Sequence, residues 1–118
     1  MNGKNNRRFQ RIDSRNLVSY VCVEQSGQLV SHGMGRTLNV NETGILLETF
    51  NKIDPGCTMS LAIGLKDDVI NIKGEVVHQR IGKAGRHQSG IKFCDMDDLV
   101  FKALEVFIAR FKAEKAGN

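Results

Sequence analysis

The sequence predicts a mainly β fold, a small six-stranded antiparallel β-barrel with a C-terminal α-helix. Two observations lead to this prediction. Short apolar runs alternate with turn residues over most of the chain, which contains 12 glycines and one proline in 118 residues. After Asp95, the apolar spacing changes from every second residue to the period of a helix. The length and the ordinary composition, with 25% charged residues, fit one globular domain.

The first two predicted strands follow a polar leader. Residues 17–23 form a β-branched run with one aromatic residue, which is typical of a strand. Residues 28–39 form a second extended segment. Within it, Gly33 and Gly35 predict a bulge or a bend.

A structured loop is expected between the second and third strands. The segment Asn39-Val40-Asn41-Glu42-Thr43-Gly44 interrupts the apolar pattern with residues that tolerate positive φ and cap their own backbone. Residues 45–47 are apolar and are predicted to enter the core. Asp54-Pro55-Gly56 predicts the next turn, because proline presets φ and glycine supplies the left-handed position.

The later strands show the clearest alternation. In the fourth strand every second residue is apolar, namely Met59, Leu61, Ile63 and Leu65. Asp67-Asp68 predicts the turn that follows. The fifth strand is expected to present one face made of Ile70, Ile72, Gly74, Val76 and His78, with a tight bend at Gly74. Residues 82–85 predict a turn, and residues 88–93 a last strand with Ile91 and Phe93 facing inward.

A single helix is predicted to close the chain. Its apolar stripe consists of Val100, Ala103, Leu104, Phe107, Ile108 and Phe111. Asp97 and Asp98 at its start, and basic residues near its end, complement the helix dipole. An isolated helix of this length is marginal in water, so we expect it to dock on the sheet.

The excess charge of the chain is concentrated in its first 16 residues. The chain has 17 basic and 13 acidic residues, and residues 1–16 hold five of the basic ones and one acid. We therefore expect a flexible tail over residues 1–6, a basic ligand-binding arm over 7–16, and the barrel with its helix over 17–118. The arm is rich in arginine, whose guanidinium fork matches a phosphate or a guanine edge, so its position predicts an anionic partner.

Several classes of function are disfavoured by the residue pattern. The serines form no G-x-S-x-G elbow, the glycine clusters are not phosphate loops, and the histidines and cysteines lack metal-ligand spacing. An enzyme, a metal and a cofactor are therefore not expected. No apolar stretch approaches ~20 residues, so membrane insertion is not expected. Three scattered cysteines predict free thiols in a reducing, cytoplasmic setting.

Three motifs together resemble one known family, the PilZ domains. Arg7-Arg8-Phe9-Gln10-Arg11 resembles the R-x-x-x-R signature of that family. The loop from Asn39 to Gly44 is similar to its [D/N]-x-S-x-x-G signature, with asparagine at position 41 where the family has serine. Gly90-Ile91-Lys92-Phe93 is similar to its late G-[VI]-x-F strand.

The resemblance implies a receptor for cyclic di-GMP, a bacterial second messenger. It implies that Arg7, Arg8 and Arg11 contact the phosphates and guanine edges of the ligand. It further implies contacts of Asn39 and Asn41 with a guanine, a close approach permitted by Gly44, and His78 against a base. The arm would then order on the ligand and signal to an effector protein, which the sequence does not identify.

Two alternatives remain open at the level of sequence. The first is a PilZ-like module that has lost the ligand and serves in protein interaction, which the asparagine at position 41 motivates. The second is a small nucleic-acid-binding barrel with a basic arm. Nucleic acid is the less favoured partner, because the charges of residues 17–118 balance and the chain has no tryptophan and one tyrosine to form a stacking platform.

Overall fold

The computed structural model describes residues 17–64 and 69–116. Within these residues, six strands form a closed antiparallel barrel in the order β1-β2-β3-β6-β5-β4. The strands are β1 (Leu17–Val23), β2 (Leu29–Val40), β3 (Gly44–Thr49), β4 (Thr58–Gly64), β5 (Val69–Ile81) and β6 (His87–Cys94), and they are followed by helix α1 (Asp98–Ala116). The predicted fold class is confirmed.

The barrel interior is built from the inward residues of alternating strands. In β1, Val18, Tyr20 and Cys22 are buried. In β4, the predicted apolar face is buried at Met59, Leu61 and Ile63. Because β1 pairs with β4 as well as with β2, the sheet closes on itself and these strands leave no free edge.

Helix α1 completes the core with its predicted apolar stripe. Its buried side chains, Leu104, Phe107, Ile108 and Phe111, belong to the same apolar cluster as the barrel interior. The Asp97 carboxylate caps the helix by accepting a hydrogen bond of 2.9 Å from the Val100 backbone N–H. Near the other end, the Arg110 guanidinium donates to the Gly64 carbonyl oxygen at 2.9 Å, which ties the helix to the end of β4.

The predicted bulge or bend at Gly33 and Gly35 is wrong. Both glycines pair with β1 in regular register, and the irregularity of β2 against β3 lies between Thr37 and Asn39. The two glycines serve packing instead. A Cβ atom at Gly33 would lie 2.8 Å from the Tyr20 hydroxyl oxygen, and one at Gly35 would meet the Leu47 side chain at 2.6 Å. The bare backbone therefore makes room for two core side chains.

The shared face predicted for β5 is confirmed from Ile70 to Val76, but the prediction that His78 belongs to it is wrong. A register shift between Val76 and His78 adds one residue against β6, which reverses the alternation beyond it. His78 is consequently exposed. Gln79 takes the inward position, where its amide nitrogen donates to the Ile53 carbonyl oxygen at 2.6 Å and to the Ser89 hydroxyl at 3.3 Å.

Some sequence predictions lie outside the described residues. They are Leu65, the Asp67-Asp68 turn, and the tail and arm of residues 1–16 with Arg7, Arg8 and Arg11. Among the described residues, no helix is long and apolar enough to cross a membrane.

Candidate functional site

Two bulges, one in β2 opposite β3 and one in β5 opposite β6, bring four outward positions into one row. Asn39 of β2 pairs with Leu46 of β3, Leu46 with Gly90 of β6, and Gly90 with His78 of β5. Strict alternation from buried Thr37 and from inward Val76 would turn Asn39 and His78 toward the core. Each bulge adds one residue and thereby reverses the alternation of inward and outward side chains. Both polar side chains therefore lie on the outer wall of the barrel.

An open cleft of about 360 Å³ lies over this row. Its lining includes Asn39, Asn41, Gly44, Leu46, His78, Gly90 and Lys92. Gly90 matters for its shape, because a Cβ atom at this position would collide with the His78 imidazole ring. The missing side chain lets the ring lie across β6 at one end of the cleft. The cleft thus combines a bare and apolar floor with polar groups at its ends. We call it the asparagine cleft.

The Asn41 side chain holds the loop at the edge of the cleft in a defined turn. Its oxygen accepts hydrogen bonds from the Thr43 backbone N–H and the Thr43 hydroxyl, both at 2.8 Å, and from the Gly44 backbone N–H at 3.0 Å. The Asn41 backbone N–H donates to the Gly44 carbonyl at 2.9 Å and closes the hairpin. The turn is therefore formed by the chain itself.

Gly44 has a packing role in the barrel. A Cβ atom there would collide with the Ile91 carbonyl oxygen of the neighbouring strand β6. The preceding residue is held as well, since the Phe93 backbone N–H donates to the Thr43 carbonyl oxygen at 2.9 Å. Within the described residues, Gly44 therefore permits the close approach of strand β6 to the start of β3.

Both asparagines use their side-chain oxygens within the chain. The Asn39 oxygen accepts from the Val40 backbone N–H at 2.9 Å, and the Asn41 oxygen is occupied by its turn. Neither amide nitrogen takes part in a hydrogen bond with residues 17–64 or 69–116. The asparagine cleft therefore offers hydrogen-bond donors, which suit acceptor groups such as carbonyl oxygens, ring nitrogens or phosphate oxygens.

Lys92 lines the asparagine cleft and was not among the residues selected from the sequence. It pairs with Gly44 on one side and with Glu75 on the other, and its side chain is exposed. No ion pair within the described part of the chain includes it. The alternation of Ile91 and Phe93 indicates that Lys92 faces outward, but the register that sets it beside Gly44 requires the fold.

Nucleophilic and metal chemistry find no support among the described residues. The three cysteines are free, and burial raises the pKa of the Cys22 thiol, which keeps it in the protonated, unreactive form. Within the described ranges, no group of histidine, cysteine and carboxylate side chains is placed to hold a metal ion.

The chain connectivity allows the basic arm to reach the asparagine cleft. Leu17, where β1 begins, pairs with Arg36, and Arg36 pairs with Glu48, two residues along β3 from Leu46. The path from Leu17 to Leu46 therefore covers two inter-strand spacings across the sheet and two residues along β3, which together amount to a distance of roughly 12 Å. Arg11 precedes Leu17 by six residues, which span at most about 20 Å when extended.

The comparisons with known proteins agree with the motifs. A search of curated proteins finds no match to the sequence. The family model described as PilZ domain matches residues 5–110, which include both signatures and most of the helix. PilZ domains are binding modules and not enzymes. Because the match extends over most of its length, this chain belongs to the PilZ domain family.

Proposed function

We propose that the chain is a receptor for cyclic di-GMP whose arginine arm orders on the ligand and signals to a partner protein. One observation carries the proposal. The loop that corresponds to the second family signature lines an open cleft together with His78, within reach of the arm that carries the first signature. Since cyclic di-GMP is a bacterial second messenger, the proposal assigns the protein to the bacterial cytoplasm.

The donors in and near the asparagine cleft match the acceptors of the ligand. Guanine presents two adjacent acceptors on one edge, and the amide nitrogens of Asn39 and Asn41 are free to donate to such a group. Arg7, Arg8 and Arg11 supply guanidinium forks for the two phosphates and for guanine edges. The Lys92 ammonium adds a positive charge beside the loop.

The energies of such contacts reach the size that a micromolar site requires before the cost of ordering the arm is subtracted. A bidentate guanidinium–guanine pair contributes roughly 1–3 kcal/mol in DNA recognition. Stacking of a base on an aromatic group contributes about 1–3 kcal/mol, and the proposal gives this role to His78, which lines the asparagine cleft. A micromolar dissociation constant corresponds to about −8 kcal/mol. Against this, each arm residue that becomes ordered costs roughly 1–2 kcal/mol of backbone entropy, which couples arm ordering to ligand binding.

Calorimetric titration of the full chain with cyclic di-GMP, with GTP as the control ligand, tests the proposal. We expect a micromolar dissociation constant for cyclic di-GMP and a loss of binding in Arg7→Ala and Arg11→Ala, each with an unchanged circular dichroism spectrum. Absence of heat, together with absence of arm shifts in NMR spectra, at about 100 μM ligand would overturn it.

The contribution of Lys92 is tested separately. Lys92→Ala is expected to weaken cyclic di-GMP binding by about three- to tenfold, with a smaller loss at high salt, because it removes a charge near the phosphates. Lys102→Ala, an exposed lysine of α1 outside the asparagine cleft, is the matched control and should bind as the wild type does. Equal affinities of the two variants would exclude Lys92 from the site.

A PilZ module that binds a protein partner without the nucleotide is the second candidate. The observation in its favour is that the Asn41 oxygen and Gly44 have complete roles within the chain, in the turn and against β6. Asn41→Ser distinguishes the two functions. If this variant binds cyclic di-GMP and the wild type does not, the second candidate is correct.

A further inference from the structure

A second cleft, of about 400 Å³, lies on the outer wall beside β1, β2 and β3. It shares no lining residue with the asparagine cleft. We call it the Phe50 cleft, after an exposed aromatic side chain in its lining, which also includes Met34, Arg36, Glu48 and Arg86. The motifs of the sequence point to none of these residues.

The charges of the Phe50 cleft are incompletely balanced. The Glu48 carboxylate, 10% exposed, accepts from the Arg36 guanidinium at 3.0 Å and lies 3.5 Å from that of Arg86. Two cations therefore share one carboxylate. In addition, the Arg36 Nε atom is buried and has no hydrogen-bond partner among the described residues. Among the described residues of the cleft, the two guanidinium groups carry one positive charge more than Glu48 balances, which suits one further anionic oxygen at their exposed nitrogens.

An apolar surface lies directly beside these charges. The Phe50 ring is 74% exposed, and the Arg86 guanidinium stacks over it with its central carbon 4.4 Å from the ring centroid. Met34, 55% exposed, lines the same cleft. Stacking on Arg86 holds the ring in place before any partner arrives. Exposed aromatic, methionine and arginine side chains in one concavity are the composition of protein-binding hot spots.

We propose that the Phe50 cleft binds a peptide segment of a partner protein that presents a carboxylate next to an aromatic or aliphatic side chain. The single excess positive charge suits one carboxylate, and the exposed ring suits one apolar neighbour. A polyanion would gain little, because the Glu48 carboxylate lies between the two arginines.

Leu17 links this cleft to the arm. It lines the Phe50 cleft and begins β1, directly after the arm residues. Ordering of the arm on cyclic di-GMP would therefore change the edge of the cleft. This regulatory link rests on the proposed function, whereas the peptide binding does not.

An NMR titration of the ¹⁵N-labelled full chain tests the proposal with three blocked dipeptides: acetyl-Glu-Phe-amide, acetyl-Gln-Phe-amide without the charge, and acetyl-Glu-Gly-amide without the ring. We expect acetyl-Glu-Phe-amide to shift the signals of Arg36, Phe50 and Arg86 with a dissociation constant of about 1 mM. Each control peptide should bind about tenfold more weakly, which corresponds to about 1.4 kcal/mol.

Two substitutions localise the binding. Arg86→Ala and Phe50→Ala remove exposed side chains, so the fold should persist, and both are expected to abolish the peptide shifts. Arg80→Ala is the matched control, since Arg80 also lies on the outer wall but bonds to Gln88 outside the cleft. Equal binding of the three peptides, or peptide shifts that persist in both Phe50-cleft variants, would overturn the proposal. So would tighter binding of a single-stranded hexanucleotide to the same residues.

The outcome is separable from that of the proposed function. Arg86→Ala should bind cyclic di-GMP as the wild type does, and Arg7→Ala should bind acetyl-Glu-Phe-amide as the wild type does. Failure of nucleotide binding with intact peptide binding would remove the regulatory link alone. Failure of peptide binding with intact nucleotide binding would remove the Phe50 cleft as a docking site.

Discussion

The side-chain oxygen of Asn41 explains how this chain departs from the family signature and keeps the turn. Serine at this position accepts backbone N–H groups through its hydroxyl oxygen. The Asn41 amide oxygen accepts from the backbone N–H groups of Thr43 and Gly44 in the same manner. Asparagine can therefore hold this turn in place of serine, and its amide nitrogen has no hydrogen-bond partner among the described residues.

Asn41→Ala is expected to lower the free energy of unfolding by about 1–2 kcal/mol, because it removes the shared acceptor of three hydrogen bonds. Urea denaturation followed by circular dichroism measures the loss. Asn39→Ala, which removes one hydrogen bond to the adjacent backbone, is the control and should cost clearly less. Equal losses in the two variants would contradict this account of the turn.

Gly90→Ala is expected to destabilise the barrel by about 0.5–1.5 kcal/mol, since the added methyl group forces the exposed His78 ring out of its rotamer. Gly64→Ala, where a Cβ atom meets nothing within 4 Å, is the matched control. The double variant Gly90→Ala/His78→Ala should recover most of the loss, and thermal denaturation of all three measures this. If the double variant is as unstable as Gly90→Ala, the ring is not the cause.

At the level of secondary-structure elements, the sequence predicts which segments are strands or helices better than it predicts the register in which the strands pair. The alternation in β4 and the stripe of α1 follow from residue spacing alone, and both are confirmed. The bulges are different, because a bulge is a mismatch between two strands and its position depends on the partner. The glycine composition of β2 led to the prediction at Gly33 and Gly35, whereas the register shifts leave residues with side chains unpaired, namely Val30, Leu38 and Val77.

The candidate site was predictable to a similar extent. The motif placed Asn39, Asn41 and Gly44 in one loop. In the structure β2 extends to Val40 and β3 begins at Gly44, so Asn41 alone of the three lies in the connecting turn, although all three line a cleft with His78. The bulge that turns His78 outward and the strand pairing that adds Lys92 were not accessible, since both depend on contacts between distant strands. The arm residues remain a prediction from the sequence.

The N-terminal cap of helix α1 can be tested by single substitutions at Asp97 and Asp98. Asp97→Ala removes the cap on the Val100 N–H and is expected to cost about 1 kcal/mol of stability. Asp98→Ala retains the cap and loses only a favourable interaction with the helix dipole, which contributes about 0.3–1 kcal/mol. Chemical denaturation of the two variants should show the larger loss for Asp97→Ala. The reverse order would assign the start of the helix to Asp98.

At the scale of the whole molecule, the closed barrel keeps its buried interior apart from the surface that carries the two clefts. The core residues Leu47 and Ile91 are buried on adjacent strands of the closed sheet. Under the proposed function, cyclic di-GMP alters the arm and leaves this interior unchanged. Changes in the core would require the opening of paired strands, which is far costlier than ordering a short arm.

Hydrogen exchange measured with and without cyclic di-GMP tests this division. We expect amides of the arm and of Thr43 and Gly44 to become protected on binding. The relative protection within the core strands, for example between Leu47 and Ile91, should remain the same. A ligand-induced loss of protection in β3 or β6 would show that the barrel itself rearranges.

The pairing of β3 with β6 has a consequence for the folding of the protein. The asparagine cleft lies where two hairpins, β2–β3 and β5–β6, pair with each other through β3 and β6. The two hairpins are distant in sequence. Such long-range pairing is slow compared with the formation of either hairpin. A chain in which the two hairpins have not yet paired therefore lacks the cleft. A nucleotide that binds in the cleft would bind only molecules whose barrel is complete. Under the proposed function, the fraction of molecules that capture cyclic di-GMP would therefore measure how much of the protein has completed its barrel.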